Sequence, residues 1–418
     1  MPKFIVQGGH KLEGEVHVSG SKNATLPIMC AALLTDEKTT LTNVPEIADI
    51  RSMTEIMEGM GVKTIFKNNS LEIDPSKLKN ARPNDDHVCK MRASILLFGP
   101  LIANFKKAEM TFPGGCVLGK RSVAAHTGAF QDLGCEVTNG SQDLKIHAKE
   151  LVGATIIMRE RSVTATENAI MAAVKANGTS YIKLAATEPH VQDLCHFLNK
   201  MGAKIEGIGS STLEIEGVKK LKGTNYRITG DYLEAGTFAI AAALTNGNVV
   251  IKGIETDHLD SFWQKLREVG VDLELKTNEV HIKGHKKLES VPILKTAVFP
   301  SFPTDLQAPF AVLLTQAHGV TKIFETMFEG RLNYLAELER MGAKIELLNP
   351  HQAIVIGPSK LKGLPISSYD IRAGAAMVLA ALTAQGETEI SNINYLDRGY
   401  EKLEEKLQSI GAQIQRID

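Results

Sequence analysis

An amphipathic helical pattern that ends in an apolar residue and a glycine, followed by an alternating apolar–polar run, recurs six times along the 418-residue chain. The alternating run predicts a half-buried strand, and a glycine after the last helical turn predicts a left-handed helix end. The six glycines are Gly61, Gly134, Gly202, Gly270, Gly342 and Gly411. Their spacing of roughly 70 residues predicts a chain built from copies of one structural unit.

Five copies continue into a second short strand, which we predict at 71–74, 144–148, 213–217, 280–284 and 353–357. The sixth copy reaches the C-terminus without one, and the apolar segment 4–8 is predicted to supply it. That pairing would tie the two ends of the chain into one domain.

Each copy also contains an almost continuously apolar, often Ala-rich helix, such as GTFAIAAALT at 236–245. Helices of this kind are buried on most sides, whereas later helices such as YLAELERM at 334–341 are amphipathic and are expected to face solvent. We therefore predict an α/β (α+β) fold of six βαβαββ repeats, which form two inside-out α/β barrel domains with helices inside and sheets outside. The predicted domains are 22–229, which carries a cysteine loop at 112–122, and 1–21 plus 230–418, with the active site in the cleft between them.

Composition narrows the functional classes. The chain is 43% hydrophobic and 23% charged with a formal net charge of −1, so no positive excess points to nucleic acid or an anionic membrane. No apolar run reaches the ~18 residues of a membrane span, and the N-terminus has no apolar signal core. The five cysteines are scattered without a CxxC pair. We therefore expect neither a zinc site nor a disulfide framework, and a reducing cytoplasm fits best.

When the six copies are aligned, the unusual polar residues fall at two structural positions. The turn that enters the buried helix carries Lys22, Asn23, Arg92, Ser162, Thr164, Asp231, Glu234, Asp305, Asp370 and Arg372. The turn that enters the outer helix carries Arg51, the cysteine loop, Glu188, Arg331 and Arg398. Any one of them could be a helix cap or a surface ion pair, but stacked repeats place equivalent turns at one edge.

In a near-neutral chain, these turns bring six candidate binding cations to the same edge: Lys22, Arg92, Arg121, Arg331, Arg372 and Arg398. Such a cluster repels itself unless an anion occupies it. Helix N-termini at the same edge add N–H donors and a positive dipole end. We infer a polyanionic substrate that carries phosphate and carboxylate groups.

The segment Pro113–Arg121 holds three glycines and one cysteine that is followed by two cations. A thiol near Lys and Arg on a glycine-rich loop can have a lowered pKa and act as an acid or a nucleophile. The alternative is a surface turn with an incidental cysteine. The stretch from Met110 to Gly134 is about four residues longer than its counterparts in other repeats, which favours an inserted functional loop around Cys116.

The motifs SGSKNATLPI, PGGCxxGxR, FPTDxQA, FExR and DRGYE, with shorter segments between them, occur in this order along essentially the whole chain. In this set they resemble the UDP-N-acetylglucosamine enolpyruvyl transferase family; the sister EPSP synthases share the repeat and the fold but lack the cysteine loop. The resemblance implies transfer of the enolpyruvyl group of phosphoenolpyruvate to the 3′-hydroxyl of UDP-N-acetylglucosamine, with release of phosphate. It further implies the first committed step of peptidoglycan precursor synthesis in the bacterial cytoplasm, a fosfomycin-reactive cysteine, and no metal or organic cofactor.

The resemblance also assigns roles to matching positions. Asp305 matches the base that takes the proton of the acceptor hydroxyl, and Cys116 matches the residue that protonates the methylene carbon. Lys22 and Arg398 match the remaining catalytic positions. The substrate-binding positions are Lys22, Asn23, Arg92, Arg121, Ser162, Asp305, Met327, Arg331, Arg372 and Arg398.

Four residues depart from the family pattern on the nucleotide side: Ser122, Ala124, Thr164 and Thr187. They stand where the family usually has Pro, Asp, Gly and Arg, whereas the phosphoenolpyruvate-side residues all match. A pocket change of this kind can redirect specificity by about 1–3 kcal/mol without touching the chemistry. The same reaction on another uridine nucleotide, such as UMP in antibiotic biosynthesis, therefore stays open as an alternative.

Two interpretations from other classes fit the sequence less well. RNA-end-processing enzymes have repeats of related topology, but we find neither the nucleophilic His nor the basic face that they need. A pure binding protein would not need Cys116 and Asp305 beside six cations. We expect a monomer or a weak homo-oligomer that binds no nucleic acid and no membrane.

Overall fold

Two compact units make up the described part of the chain. The computed structural model describes residues 2–89, 91–112, 114, 122–140 and 142–418. The terminal unit contains residues 2–19 and 230–418, and the central unit contains the described residues between 20 and 229. Each unit has a hydrophobic core of its own.

The central unit holds the first three repeats, after two N-terminal strands that belong to the terminal unit. Those strands are β1 (Lys3–Gln7) and β2 (Glu13–His17). The first repeat contains α1 (Lys22–Ala31), β3 (Thr39–Thr42), α2 (Ala48–Gly59), β4 (Lys63–Lys67) and β5 (Ser70–Asp74). The second contains α3 (Asp85–Val88), α4 (Phe98–Phe105), β6 (Lys107–Thr111), α5 (Ala124–Asp132), β7 (Glu136–Asn139) and β8 (Asp143–His147). The third contains β9 (Thr155–Ile157), α6 (Val163–Ala173), β10 (Thr179–Lys183), α7 (Pro189–Lys200), β11 (Lys204–Glu206) and β12 (Thr212–Glu216), and β13 (Asn225–Arg227) follows.

The terminal unit continues with the last three repeats. The fourth contains α8 (Tyr232–Leu244), β14 (Asn248–Lys252), α9 (Asp260–Glu268), β15 (Val271–Lys276) and β16 (Glu279–His285). The fifth contains β17 (Ile293–Lys295), α10 (Gln307–Gln316), β18 (Gly319–Phe324), α11 (Leu335–Arg340), β19 (Lys344–Asn349) and β20 (Gln352–Gly357). The sixth contains β21 (Ile366–Ser367), α12 (Ile371–Thr383), β22 (Glu387–Ser391), α13 (Leu403–Ser409) and β23 (Gln413–Ile417). Short 3-10 turns lie at Ala32–Leu34, Arg92–Leu97, Thr256–Leu259, Thr304–Leu306, Glu329–Leu332 and Ile393–Arg398.

One helix of every repeat is almost entirely buried, as the apolar pattern predicts. These helices are α1, α4 and α6 in the central unit and α8, α10 and α12 in the terminal unit. All 13 residues of α8 are buried. The amphipathic α11, by contrast, buries Leu335, Glu337 and Leu338. Among the described residues, no helix is long and apolar enough to cross a bilayer.

Each repeat contributes one small sheet, and five of the six sheets have four strands. The prediction of an opening strand in every repeat is wrong for the second one, whose sheet β6-β8-β7 has three strands in the described residues. The short helix α3 precedes its buried helix instead. Asn84 caps α3 by accepting from the Asp86 backbone N–H at 2.9 Å, and two aspartates in the first turn suit the positive end of a helix.

Three strands pair within the sheet of a repeat that is distant in sequence. β1 pairs antiparallel with both β22 and β23, so the predicted closure of the sixth repeat by the N-terminal segment is confirmed. β2, which precedes α1, pairs with β14 of the fourth repeat. β13, which precedes α8, pairs with β3 of the first repeat. The first and fourth repeats therefore exchange their opening strands: β2 joins the sheet of the fourth repeat, and β13 joins that of the first.

The six helix-ending glycines all adopt positive φ angles, between +90° and +105°. This confirms the C-cap prediction for the whole set. Residues with a Cβ atom rarely adopt this conformation because the side chain crowds the backbone, whereas glycine adopts it freely.

Gly202→Ala should lower the free energy of unfolding by about 1–2 kcal/mol. Gly202 has a φ of +102°, and no atom lies within 4 Å of the position that a Cβ would take. Backbone strain alone would therefore cause the loss, which urea unfolding measures. The control is Gly59→Ala at the end of α2, where the added Cβ also meets open space. That substitution should raise the free energy of unfolding by up to about 1 kcal/mol. Equal decreases in the free energy of unfolding at the two sites would contradict the strain argument.

Candidate functional site

The terminal unit gathers one carboxylate and two guanidiniums ahead of α10. Asp305 lies in the turn Thr304–Leu306. Its Oδ1 is 2.7 Å from Nη2 of Arg331, and its Oδ2 is 3.0 Å from Nη2 of Arg372. The arginine side chains are 4% and 7% exposed, whereas that of Asp305 is 24% exposed. The carboxylate is therefore the part of this cluster that a ligand reaches most readily.

Arg372 is fixed by the first turn of α12. The carboxylate of Asp370 caps this helix by accepting from the backbone N–H groups of Arg372 at 2.7 Å and Ala373 at 2.9 Å. The Arg372 guanidinium lies over the ring of Tyr400, 5.5 Å from its centroid. Burial disfavours the charged guanidinium, but Asp305, Tyr400 and Asp231 together outweigh this effect, and the pKa of Arg372 lies above its ordinary value. The group stays charged at any physiological pH.

Arg331 and Met327 lie in the turns between β18 and α11, where a buried glutamate fixes the backbone. Glu325 accepts from the Met327 backbone N–H at 2.7 Å and from Oγ1 of Thr304 at 2.9 Å. It thereby joins the turn of Met327 to the turn of Asp305. Sequence reasoning missed Glu325, although a charged residue directly after an apolar strand in KIFET was a usable signal.

Arg398 ends the turn Ile393–Arg398 before α13. Two residues later, the hydroxyl of Tyr400 lies 2.9 Å from Oγ1 of Thr237 on α8. Because the Tyr400 ring also packs against Arg372, the loop of Arg398 is joined to the carboxylate cluster through its neighbour. The terminal unit thus brings five predicted site residues into connected turns: Asp305, Met327, Arg331, Arg372 and Arg398.

Lys22 and Asn23 open α1 in the central unit, where Ser21 caps the helix by accepting from the Ala24 backbone N–H. The ammonium group of Lys22 is 3.2 Å from Oδ2 of Asp49, and the two side chains are 13% and 7% exposed. The sequence did not single out Asp49, which lies in the first turn of α2. The pair holds a predicted phosphate-binding cation at a helix N-terminus.

Arg92 lies beside two of the four residues that depart from the family pattern. Its Nη2 is 3.5 Å from the carbonyl oxygen of Ser122. The Ser122 hydroxyl accepts from the Ala124 backbone N–H at 3.0 Å, at the start of α5. A third departure, Thr187, uses its carbonyl oxygen to accept from Nε2 of Gln192 at 2.8 Å. These departures therefore carry local hydrogen bonds that fix the turns in which they lie.

The fourth departure, Thr164, is paired with a buried histidine. Ser162 caps α6, and Thr164 in its first turn places Oγ1 3.2 Å from Nε2 of His126. Nδ2 of Asn168 lies 3.0 Å from Nδ1 of His126, so Nδ1 accepts and Nε2 carries the proton that Thr164 receives. Burial, with the nearby charge of Arg92, lowers the pKa of His126 to about 3. The ring is therefore neutral and donates to the residue that replaces the family's glycine.

Cys116 and Arg121 lie outside the described residues, so their predicted roles stay predictions. Burial raises the pKa of the thiols of Cys135 and Cys195 to about 12, and it raises that of Cys30 further. These three thiols are consequently inert at neutral pH. Within the described ranges, no group of three His, Cys, Asp or Glu side chains is arranged to hold a metal ion.

Glu167 is a buried carboxyl on α6 that sequence reasoning passed over. It is 1% exposed, and its Oε1 has no hydrogen-bond partner among the described residues. Burial and the charge of Glu188 raise the pKa of Glu167 well above its ordinary value. The fold therefore favours the protonated carboxyl, because an ionised group in this position would be uncompensated.

The chain is similar to one protein family and to full-length relatives along essentially its whole length. The profile of the family described as EPSP synthase (3-phosphoshikimate 1-carboxyvinyltransferase) matches residues 6–407. A UDP-N-acetylglucosamine 1-carboxyvinyltransferase of Methylacidiphilum infernorum is 43% identical over 420 residues, covering 100% of this chain and 99% of the relative. A protein of the same name from Halothermothrix orenii is 43% identical over 417 residues, covering 100% of both.

Solved structures match the fold at lower identity. The enolpyruvyl transferase NikO of Streptomyces tendae superposes with a TM-score of 0.89 at 24% identity, covering 99% of this chain and 98% of that one. An EPSP synthase of Acinetobacter baumannii gives a TM-score of 0.78 at 20% identity over 100% of both chains. At these identities the likeness establishes the shared fold alone.

Glu167→Gln should stabilise the chain increasingly as pH rises. Between the ordinary and the raised pKa, folded Glu167 keeps a proton that the unfolded chain has lost, so stability falls as pH rises through that window. Glutamine cannot ionise and removes this loss, which amounts to roughly 1.4 kcal/mol for each pH unit spanned. Urea unfolding at pH 5, 6.5 and 8 measures the difference, with the exposed Glu206→Gln on β11 as control. Parallel stability curves for the wild type and Glu167→Gln would show that Glu167 is ionised in the folded state.

Proposed function

This chain belongs to the EPSP synthase family and, within it, to the UDP-N-acetylglucosamine 1-carboxyvinyltransferases, and from that membership we propose the reaction. It transfers the enolpyruvyl group of phosphoenolpyruvate to the 3′-hydroxyl of UDP-N-acetylglucosamine and releases phosphate. This step commits the nucleotide sugar to peptidoglycan precursors. We assign it to the bacterial cytoplasm, without metal or organic cofactor, and to a monomer or weak homo-oligomer.

The observation that supports this chemistry best is Asp305 held between two buried guanidiniums. Each carboxylate oxygen faces one arginine at 3.0 Å or less, so the group is oriented before substrate arrives. A base for a hydroxyl proton needs a fixed geometry within hydrogen-bond reach. The reaction also needs positive charge around its anionic groups. The two arginines provide it, because they compensate the negative charge of phosphate and carboxylate groups.

The reaction proceeds by addition and elimination. The acceptor oxygen gives its proton to Asp305 and forms a bond to C2 of phosphoenolpyruvate, while the π electrons of the double bond take a proton at C3. In our assignment Cys116 supplies that proton. The resulting tetrahedral ketal then returns a proton from C3 to the Cys116 thiolate and expels phosphate with the C–O electron pair, which restores the double bond on the acceptor.

Lys22, Arg121 and Arg398 are assigned to the phosphate and carboxylate groups of phosphoenolpyruvate, and Arg331 and Arg372 are assigned as supporting cations. The short ion-pair contacts and low exposure of Arg331 and Arg372 support a rigid cationic site, since neither side chain must reorganise during the reaction. Arg92, Asn23 and Ser162 are assigned to the acceptor. In each unit, three buried helices share a core with three small sheets, which supports the finer proposal of inside-out barrels.

A different uridine nucleotide as acceptor is the second candidate. The departures on the nucleotide side favour it, above all Thr164, whose side chain occupies space that glycine leaves open and whose hydroxyl is engaged by His126. Such changes alter binding of the acceptor while leaving the Asp305 cluster intact.

Phosphate release from phosphoenolpyruvate should require UDP-N-acetylglucosamine. A screen of UDP-N-acetylglucosamine, UDP-glucose, UMP and no acceptor, read by phosphate release and mass spectrometry of the product, tests this expectation. UDP-N-acetylglucosamine should exceed each alternative by at least about 100-fold in kcat/KM. Release with UMP but not with UDP-N-acetylglucosamine would overturn the leading assignment and support the second candidate.

Asp305→Ala should lower turnover by roughly 100- to 10,000-fold while UDP-N-acetylglucosamine binding by calorimetry changes little. Because the change leaves two buried guanidiniums without this carboxylate, Asp305→Asn provides a second variant of the same shape. The control is Asp272→Ala, an exposed aspartate on β15 of the same unit. Unchanged turnover in either Asp305 variant would exclude Asp305 as the base.

A further inference from the structure

A second cluster of charged side chains lies in the terminal unit at the point where the chain leaves it, at Ser19. The ammonium group of Lys406 on α13 is 2.6 Å from Oε1 of Glu234 and 2.7 Å from Oγ of Ser19. Oε2 of Glu234 accepts from the Ser19 backbone N–H at 2.7 Å. The Ser19 hydroxyl also donates to the carboxylate of Glu401. Ser19 thus joins two carboxylates and one ammonium group.

This cluster is buried and costly to maintain. The side chains of Glu234 and Lys406 are 3% and 19% exposed. Burial raises the pKa of Glu234, and Lys406 opposes that rise. An ion pair removed from water in this way contributes little net stability compared with apolar residues of the same size. A role in holding geometry accounts for it better than a role in stability.

Glu234 could have served as an ordinary helix cap and does not. Asp231 caps α8 by accepting from the backbone N–H groups of Leu233 and Glu234. A glutamate at this position of a helix usually reaches back to the N–H of the capping residue. Here the Asp231 N–H donates to the carbonyl oxygen of Ser19 at 2.8 Å instead, which leaves the Glu234 carboxylate to Ser19 and Lys406.

The cluster holds one end of the loop that carries Arg398. Each of the three residues that follow Arg398 is held by a contact outside the loop. A side chain at Gly399 would lie 2.7 Å from Cγ2 of Ile371, so this glycine packs directly against α12. Tyr400 contacts Thr237 and Arg372, and Glu401 contacts Ser19.

We propose that Lys406 is a positioning residue for enolpyruvyl transfer: with Glu234 and Ser19 it anchors Glu401 and so fixes Arg398 for the anionic groups of phosphoenolpyruvate. The proposal rests on the proposed function for the identity of that anion. Lys406 touches no substrate and acts through the loop. Its removal therefore affects the binding of phosphoenolpyruvate and not that of the nucleotide sugar.

Lys406→Met should raise KM for phosphoenolpyruvate about tenfold, since a small misplacement of a binding group costs one to two orders of magnitude. KM for UDP-N-acetylglucosamine should stay within about twofold of the wild type. The matched control is Lys402→Met, because Lys402 lies one turn away in an exposed pair with Glu405, at 3.6 Å and 60% exposure. The control should match the wild type in both KM values.

A double variant separates positioning from stability. Lys406→Met leaves Glu234 buried without its cation, and adding Glu234→Gln removes that charge while keeping an acceptor for the Ser19 N–H. The double variant should regain thermal stability over Lys406→Met but keep the raised KM for phosphoenolpyruvate. The proposal would be overturned if the double variant regained both its thermal stability and the wild-type KM for phosphoenolpyruvate. It would also be overturned if the KM values for the two substrates rose equally, because the cluster would then have only a structural role.

Hydrogen exchange provides a readout that does not depend on activity. Backbone amides of residues 395–402 should exchange faster in Lys406→Met than in the wild type and in Lys402→Met. Unchanged exchange there would overturn the proposal whatever the kinetics show. If the wild type released no phosphate with its assigned substrates, the proposed function would fail, while exchange would still decide whether Lys406 holds this loop.

Discussion

The burial of six nearly uncharged helices is the constraint on which the rest of the structure depends. A helix such as α8, with every residue buried, offers no place along its length for charged groups, so polar chemistry is confined to its ends. At the N-terminal ends, backbone N–H groups without helical partners must be capped. The residues that satisfy them, Ser21, Ser162, Asp231 and Asp370, lie beside the candidate binding and catalytic side chains.

The cluster around Asp305 shows how one charge distribution serves two purposes. Without a ligand, Asp305 compensates two guanidiniums that burial would otherwise penalise. Under the proposed function, a phosphorylated carboxylic acid would give the arginines a second set of anions and leave the aspartate to interact with a hydroxyl. The side chains that balance one another's charge in this structure are thus the ones assigned to the negative charge of the reaction.

Repeats made much of this fold predictable from the sequence. Each buried helix, each helix-ending glycine and five second strands follow from local patterns, because those patterns reflect periodicity and backbone geometry. The exchange of β2 and β13 could not be foreseen, since a strand's pattern does not name its partner. The sequence did not reveal Glu325 and Lys406 for a related reason. A single charged residue is expected at the surface unless its contacts are known. Thr164 was recognised as a departure, but only the structure pairs it with His126.

The pairing of β1 with the last strands of the chain bears on how this protein forms during synthesis. Lys3 and Glu389, which form an ion pair across these strands, are separated by 386 positions. At about 5–20 residues per second, the N-terminal strand would wait roughly 20–80 seconds on the ribosome before its partners emerge. The central unit holds all its strands within 20–229 and can finish first. Meanwhile the two leading strands keep unsatisfied edges, the kind of surface that chaperones cover.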